Sequence, residues 1–409
     1  MAEGERTIRL LHVTTVPESL DFLSGQAGYM RERGFEVHAL SSPGDMLRRF
    51  GTRERVAVHA VPMARRISPV DDVAALRKMR RVMLDVAPDI VHAHTPKGGL
   101  LGTLAARLAG VPVRIYHIHG LPFVTARGFH RMLLLASERV ACGSATRVLS
   151  VSRSVMEVVV RHRLCPPSKI ESPGPGSING VDAQRKFNPA LVGSAAREES
   201  RARFGIPPDA LVVGFIGRIV RDKGLVELTG AWDALRDAYP RLHLLIVGPF
   251  EVRDPVPPKT ERVLRSDPRI HLAGLDWNTP PLYAAMDVVT LPSYREGFPS
   301  VPLEAAAMGL PVVATNVPGC ADAVVDGETG LLVDAGDAAA LAGSIRRYID
   351  DPDLRRLHGE AGRERVLRRF QPRSVWRALH EVYIHALDAV PHDGTLGAEP
   401  DSRKVVGMR

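Results

Sequence analysis

The apolar residues of this chain fall in short unbroken runs that end in small or polar residues, with longer amphipathic stretches between them. In the first half the runs are TIRLLHVTT, FEVHALSS, DIVHAHT, VRIYHIHG and ATRVLSVS; in the second they are LVVGFIGR, LHLLIVGP, RIHLAG, DVVTLPS, PVVATN and GLLVD. A strand solvated on one face alternates apolar and polar residues, whereas a strand covered on both faces reads as a continuous apolar run. Each run is therefore a predicted strand of a parallel sheet covered by helices. The series predicts an α/β chain with two Rossmann-like, doubly wound units in succession. Between them, NGVDAQRKFNPALVGSAAREESRARFGIPPDA has no strand pattern and is rich in polar and turn residues, which sets a boundary near residues 183–208. The predicted division is a first domain over 1–185, a second over 186–375 and a terminal helix over 376–390 that can cross back. A polar tail over 391–409, punctuated by Gly and Pro, is expected to be disordered.

Composition narrows the class. At 409 residues the chain exceeds one ordinary core, and its aliphatic, aromatic-poor make-up is that of a globular enzyme rather than a fibrous or low-complexity protein. The start MAEGERTIRLLHVTT has too short an apolar run for a signal peptide, and no later run reaches the ~18 apolar residues that span a bilayer, so a cytoplasmic location is expected. Cys142, Cys165 and Cys320 are too few and too widely spaced for a disulfide framework or a zinc site. Charge is uneven: residues 1–190 hold 27 Lys+Arg against 16 Asp+Glu, a net +11, while the rest carries −3. Either the first half meets an anionic partner or its arginines simply solvate helices. The basic runs MLRRFGTRER, MARR and RKMRR favour an anionic acceptor or membrane surface, with tight nucleic-acid binding not expected.

Chemistry enters at REGFPSVPLEAAAMGLPVVAT, where Glu296 and Glu304 bracket a stretch that cannot be one helix. DVVTLPS is a strand and PLEAAAM reads as a helix with Pro302 in its first turn, so the loop YREGFP lies at the carboxyl end of a parallel strand, where open α/β sheets place ligands. Backbone N–H groups of residues 300, 301 and 303 then converge on an anion site, flanked by two carboxylates. A sugar nucleotide has that layout of ribose, diphosphate and sugar. Alone, Glu304 is equally a first-turn acid favoured by the helix dipole by ~0.3–1 kcal/mol, and Glu296 a solvated loop acid. In GFIGRIVRDKG a strand delivers Gly217, Arg218 and, five residues on, Lys223; a guanidinium fork and a movable ammonium suit a diphosphate whose charge rises as it departs. Two further strand ends carry histidines, HAHTPKGG with His92, His94 and Lys97, and HIHG with His117 and His119. Most such histidines are structural, and His119 beside Gly120 is the best candidate for more. No G-x-G-x-x-G follows a strand and no Walker lysine motif is present, which leaves hydride-transfer dinucleotide binding unsupported.

Together these stretches resemble the family 4 glycosyltransferases, retaining enzymes of the GT-B architecture, over roughly residues 8 to 385. The resemblance centres on Glu296 to Glu304 with GFP, on GR…KG, on HG and on NGVD, and the Glu296 stretch is similar to that of bacterial members that build capsule, O-antigen or other lipid-linked glycans. It implies that Glu296 contacts the donor sugar and that the backbone of Gly297, Phe298, Pro299, Ser300 and Val301 binds sugar hydroxyls and phosphate. Glu304 would hold the ribose, Arg218 and Lys223, with Gly217 before them, the diphosphate, and His119 would approach the sugar from the first domain. Candidates on the acceptor side are Lys97, His94 and Gly25, although TTVPESLDFLSGQAG lacks the glycine pair common at the first strand's end. The implied reaction is front-face transfer with retention from a nucleotide sugar, UDP-linked, to a lipid-linked or amphipathic acceptor, at the inner face of the membrane. It needs no cofactor and no divalent metal, since the one D-x-D triplet, Asp351 to Asp353, reads as a turn and N-cap between helices. The rivals are a nucleotide-sugar epimerase of the same architecture, glycosylation of a secondary metabolite, and a non-catalytic sugar-nucleotide sensor.

Overall fold

The computed structural model describes residues 7–64, 66, 68–252 and 254–390; the tail expected over 391–409 lies outside the described residues. Among the described residues, thirteen strands form two sheets. The first contains β1 (Ile8–Val13), β2 (Phe35–Ser41), β3 (Ala57–Ala60), β4 (Ile90–His94), β5 (Val113–Ile118), β6 (Arg147–Ser150) and β7 (Ile170–Glu171), in the order β3-β2-β1-β4-β5-β6-β7. The second contains β8 (Leu211–Ile216), β9 (Leu242–Val247), β10 (Ile270–Gly274), β11 (Val288–Leu291), β12 (Val312–Thr315) and β13 (Gly330–Val333), in the order β10-β9-β8-β11-β12-β13. Every pairing is parallel. All eleven apolar runs lie on strands. The two strands with no such run are β3 and β7, short edges with little to bury: β3 is exposed at both ends, and β7 has two residues.

Strand order reverses between β1 and β4 in one sheet and between β8 and β11 in the other. At such switch points successive loops leave in opposite directions and open a crevice beyond the carboxyl ends of the strands. The segment between the sheets is ordered. Its helix Pro189–Arg203 belongs to the second domain, because Arg197 and Arg201 hold the two oxygens of Asp287 at 2.7 and 2.9 Å beside the backbone N–H of Val212.

The terminal helix Pro372–Asp388 returns to the first sheet. Its Val375, Leu379, Val382 and Tyr383 pack with Leu10, Ile90, Val113, Ile115 and Leu149. Side chains two apart on a strand share a face, so the face that carries Leu10, Ile90 and Ile115 carries His12, His92 and His117 one step further along. The helix covers the apolar part of this face and reaches the start of the histidine part.

Candidate active site

Loop 292–299 leaves β11 at the second switch point and ends at Pro299, the N-cap of helix Ser300–Ala307. The helix starts two residues before the expected Pro302, so Glu304 is in its second turn and not its first. The dipole account of Glu304 fails for this reason. Its carboxylate is half-buried and accepts the phenolic hydrogen of fully buried Tyr283 at 2.8 Å. Burial raises its pKa, against the opposing pull of hydrogen bonds from Tyr283 and Ser300.

Glu296 and Lys223 meet directly, Nζ on Oε1, with both side chains largely shielded. The two motifs singled out separately are thus one ion pair. Arg218 is not part of it: its guanidinium, about half exposed, is engaged by Glu251 at 3.0 Å on the rim. Asp222 next to Lys223 binds Arg295 next to Glu296 at 2.8 Å. Tyr294 gives its hydroxyl to Glu227 at 2.6 Å, and burial pushes that phenol up to about 12. Asp222, Glu227, Glu251 and Tyr283 carried no sequence signal, for each partner lies on a different element.

The first domain closes on this loop. A Cβ on Gly297 would sit 1.9 Å from the carbonyl oxygen of His119, so only glycine permits the two backbones to touch. Ser152 caps helix Arg153–Arg161 by accepting from the N–H of Val155, and its hydroxyl also donates to the Gly297 carbonyl at 2.9 Å. Ser154 binds Asp322 and receives the N–H of Gly319 at 2.7 Å. Phe298 turns inward, 3 % exposed, with its ring tilted against that of Phe370. Its ring is an anchor, and only its backbone is left for a ligand.

His119 belongs to a row of five imidazoles. Sheet register sets His12 beside His92 and His94 beside His117. His119 Nε2 meets His94 Nδ1 at 2.9 Å, and His94 Nε2 meets His12 Nδ1 at 3.0 Å. A second chain runs from Tyr383 to His92 at 2.6 Å and on to His117 at 3.2 Å. Burial lowers every one of these pKa values, to about 3 for His12 and about 4 for His119, and for the other three burial is reinforced by neighbouring rings. The row is therefore neutral near pH 7. Its members could supply three ring nitrogens to a metal in two ways, His12, His92 and His94 or His94, His117 and His119, but most of those nitrogens already bond one another.

The three acceptor-side candidates are each engaged within the protein. His94 is buried and bonds His119. Lys97 is occupied by Asp72 at 2.7 Å and by the carbonyl of Arg66. Gly25 has φ 77°, and a Cβ there would lie 2.7 Å from the ring of Trp376, so this glycine seats the returning helix. Gly217 follows β8, and its carbonyl approaches Gly248. Asp351 caps helix Pro352–Arg369 by accepting from Leu354 N–H at 2.9 Å. The three cysteines are free.

Residues 196–365 match the sequence profile of the group 1 glycosyl transferases, and residues 22–174 match that of the glycosyl transferase 4-like domain. Over 375 residues the chain is 33 % identical to the capsular polysaccharide biosynthesis glycosyltransferase CapM of Staphylococcus aureus, covering 92 % of this chain and 96 % of that one. It is 29 % identical over 295 residues to the UDP-Gal:alpha-D-GlcNAc-diphosphoundecaprenol alpha-1,3-galactosyltransferase of Escherichia coli, 71 % of this chain and 74 % of the other. In structure it superposes on a glycosyltransferase from Rickettsia africae with a TM-score of 0.77 at 20 % identity, covering 94 % and 100 % of the two chains. Anabaena HepE with UDP and glucose gives 0.75 at 20 %, covering 92 % and 99 %. The expected fold is borne out, and the chain belongs to the family 4 glycosyltransferases of GT-B architecture.

Proposed function

We propose that this glycosyltransferase moves a sugar from a UDP-sugar to a lipid-linked acceptor, with retention and without a divalent metal. The observation that carries the reading is the Lys223–Glu296 pair set one residue from the contact of Gly297 with His119. A donor sugar seated there lies between the two domains. Lys223 keeps further N–H donors for the diphosphate while one holds Glu296 in place, and the other oxygen of Glu296 is left for a sugar hydroxyl. Backbone N–H groups of Ser300 and Val301 open the helix beside it and add partial positive charge where the leaving group grows negative. Glu304, fixed by Tyr283, takes the ribose. Arg218 must exchange Glu251 for phosphate, which its exposure permits.

His119 is neutral, so its ring can accept from or donate to the sugar without adding charge. The names of the relatives support the substrate class: one builds capsular polysaccharide and one transfers galactose to a diphosphoundecaprenol-linked sugar. Metal independence is supported by the cations themselves, and by the D-x-D triplet serving as a helix cap. The test is incubation with a panel of UDP-sugars and a polyprenyl-diphosphate-linked sugar, with anomeric configuration read by NMR. Transfer with retained configuration is expected. An epimerised nucleotide sugar without transfer, or an inverted product, would overturn the reading.

A further inference from the structure

The five imidazoles of the first sheet are not equally engaged. His92 has both ring nitrogens in use, Nδ1 with the Tyr383 hydroxyl at 2.6 Å and Nε2 with His117 at 3.2 Å. His94 also uses both, with His119 and His12. His12 Nε2, His117 Nε2 and His119 Nδ1, by contrast, are shielded from solvent and have no partner among the described residues. A buried polar atom left unpaired costs free energy, and it calls for a cause: strain, chemistry at the site, or a water or ion that completes it.

Two of those three nitrogens belong to adjacent rings. His117 and His119 are two apart on β5 and share a face, with ring centroids 4.6 Å apart. His94 on β4 stands opposite His117 in register, its ring 5.1 Å from that of His119. One nitrogen from each of His94, His117 and His119 lies within 4.8 Å of those of the other two. Imidazole binds zinc at about 2.0–2.1 Å, which sets the nitrogens of a tetrahedral site about 3.3 Å apart, so ring rotation has at most ~1.5 Å to close. His117 and His119 can close through nitrogens that have no bond to lose, and His94 gives up one of its two. The group His12, His92 and His94 is the poorer choice: both nitrogens of His92 are taken, and all three rings are sealed at 2 % exposure or less. His119 is half-buried against the Gly297 loop, which gives an ion a way in.

The rest of the row has the form of a support. A metal-bound histidine donates its other ring N–H to a partner that fixes its tautomer and orientation. With Nε2 on an ion, His117 donates from Nδ1 to His92, and His92 in turn donates to the hydroxyl oxygen of Tyr383 on the returning helix. We propose that His94, His117 and His119 form an inhibitory site for a late transition-metal dication, zinc above all, with the fourth position open to the cleft. Imidazole suits zinc, copper and nickel, whereas magnesium and manganese prefer oxygen, so this site does not serve the ions that accompany diphosphates. The group contains no carboxylate, so the ion keeps its full double charge and is held more weakly than in a structural zinc site. An ion here takes the His119 ring away from the sugar. That consequence rests on the proposed function; the binding itself does not.

Calorimetric titration of zinc sulfate into the metal-free full-length protein tests it. Wild type should take up a zinc ion that His117→Gln or His119→Gln binds about tenfold more weakly or worse, with far-UV spectra unchanged. His92→Gln removes only the support and should weaken uptake about tenfold. The other histidine pairs are His38 with His59 at 3.2 Å and His243 with His271 at 2.9 Å, and His59→Gln and His271→Gln should leave the ion in place. Absence of saturable uptake, or uptake that survives both His117→Gln and His119→Gln, would overturn the site. Zinc should also inhibit sugar transfer by wild type, at a concentration about tenfold higher in His92→Gln. Binding without inhibition would overturn the inhibitory role, whereas no transfer by the metal-free wild type would strike the functional reading and leave the binding result standing.

Discussion

The two walls of the cleft are built from opposite materials. The first sheet brings imidazoles to its strand ends, five of them on one face, held neutral by burial and tied to one another. The second brings ion pairs: Lys223 with Glu296, Arg295 with Asp222, Arg218 with Glu251. A diphosphate needs cations that gain strength as its charge rises, and pairs at the mouth of a cleft can be exchanged for it. In the proposed reaction a neutral imidazole row adds no competing charge, so the leaving group would be drawn to the charged wall. What distinguishes the walls is thus the charge each can present at neutral pH.

The largest effect should come from the charged wall. Lys223→Ala is expected to lower kcat/KM by about 100- to 1,000-fold, the scale for loss of one group that stabilises a leaving charge. His94→Asn, which disturbs the neutral wall, should cost about tenfold by misplacing His119; equal losses in steady-state assays would erase the contrast. Within the charged wall, Glu296→Gln should depress kcat, whereas Glu304→Gln should chiefly raise the donor Kd, since a ribose contact exists before and during transfer. Calorimetric binding alongside kinetics would expose a reversal.

At the seam between the walls, Gly297→Ala should destabilise the closed pair of domains by about 1–3 kcal/mol, because its Cβ meets the His119 carbonyl. A thermal melt identical to wild type would show that the loops do not touch in solution. The neutral wall has its own signature in acid. These histidines have folded pKa values below the ordinary 6.5, so between about pH 6.5 and 4 the unfolded chain binds protons that the folded chain refuses. Stability therefore falls as pH falls through that window, by up to about 1.4 kcal/mol per pH unit for each such group. His92→Gln should remove about one proton from the slope measured by denaturant titration at pH 6.5 and 5. Other buried imidazoles, such as His243 paired with His271 in the second sheet, leave the wild-type slope steep, so the difference is the readout. The smallest effect expected is none at all: excess EDTA should leave transfer rates unchanged, and restoration of activity by Mg²⁺ or Mn²⁺ after EDTA would assign the leaving-group charge to an ion.

Most of the framework was legible because burial on both faces writes itself as an apolar run, and all strands but β3 and β7, the edges of the first sheet, announced themselves that way. The loop with Glu296, the Lys223 turn and His119 stood out because they lie together at strand ends in the pattern of the family, although each residue type alone is more often structural there. The acceptor side was not legible in the same way. His94, Lys97 and Gly25 look alike in sequence to ligand-facing residues, yet each is consumed by a partner 25 or more positions away: His119, Asp72 and the ring of Trp376.

Local pattern thus determined the two α/β units, their order and the residue types that gather at the strand ends. Tertiary structure alone decided which of those residues meet. It joined Lys223 to Glu296 across 73 positions and carried Tyr383 back over 291 positions to His92. It also left one stripe of helix Gly128–Ser144 uncovered when its sequence reads like any buried segment. Periodicity records which face of an element is apolar, a property of neighbours along the chain. Whether that face is then covered, and by what, depends on distant segments whose positions are set only when the sheets close.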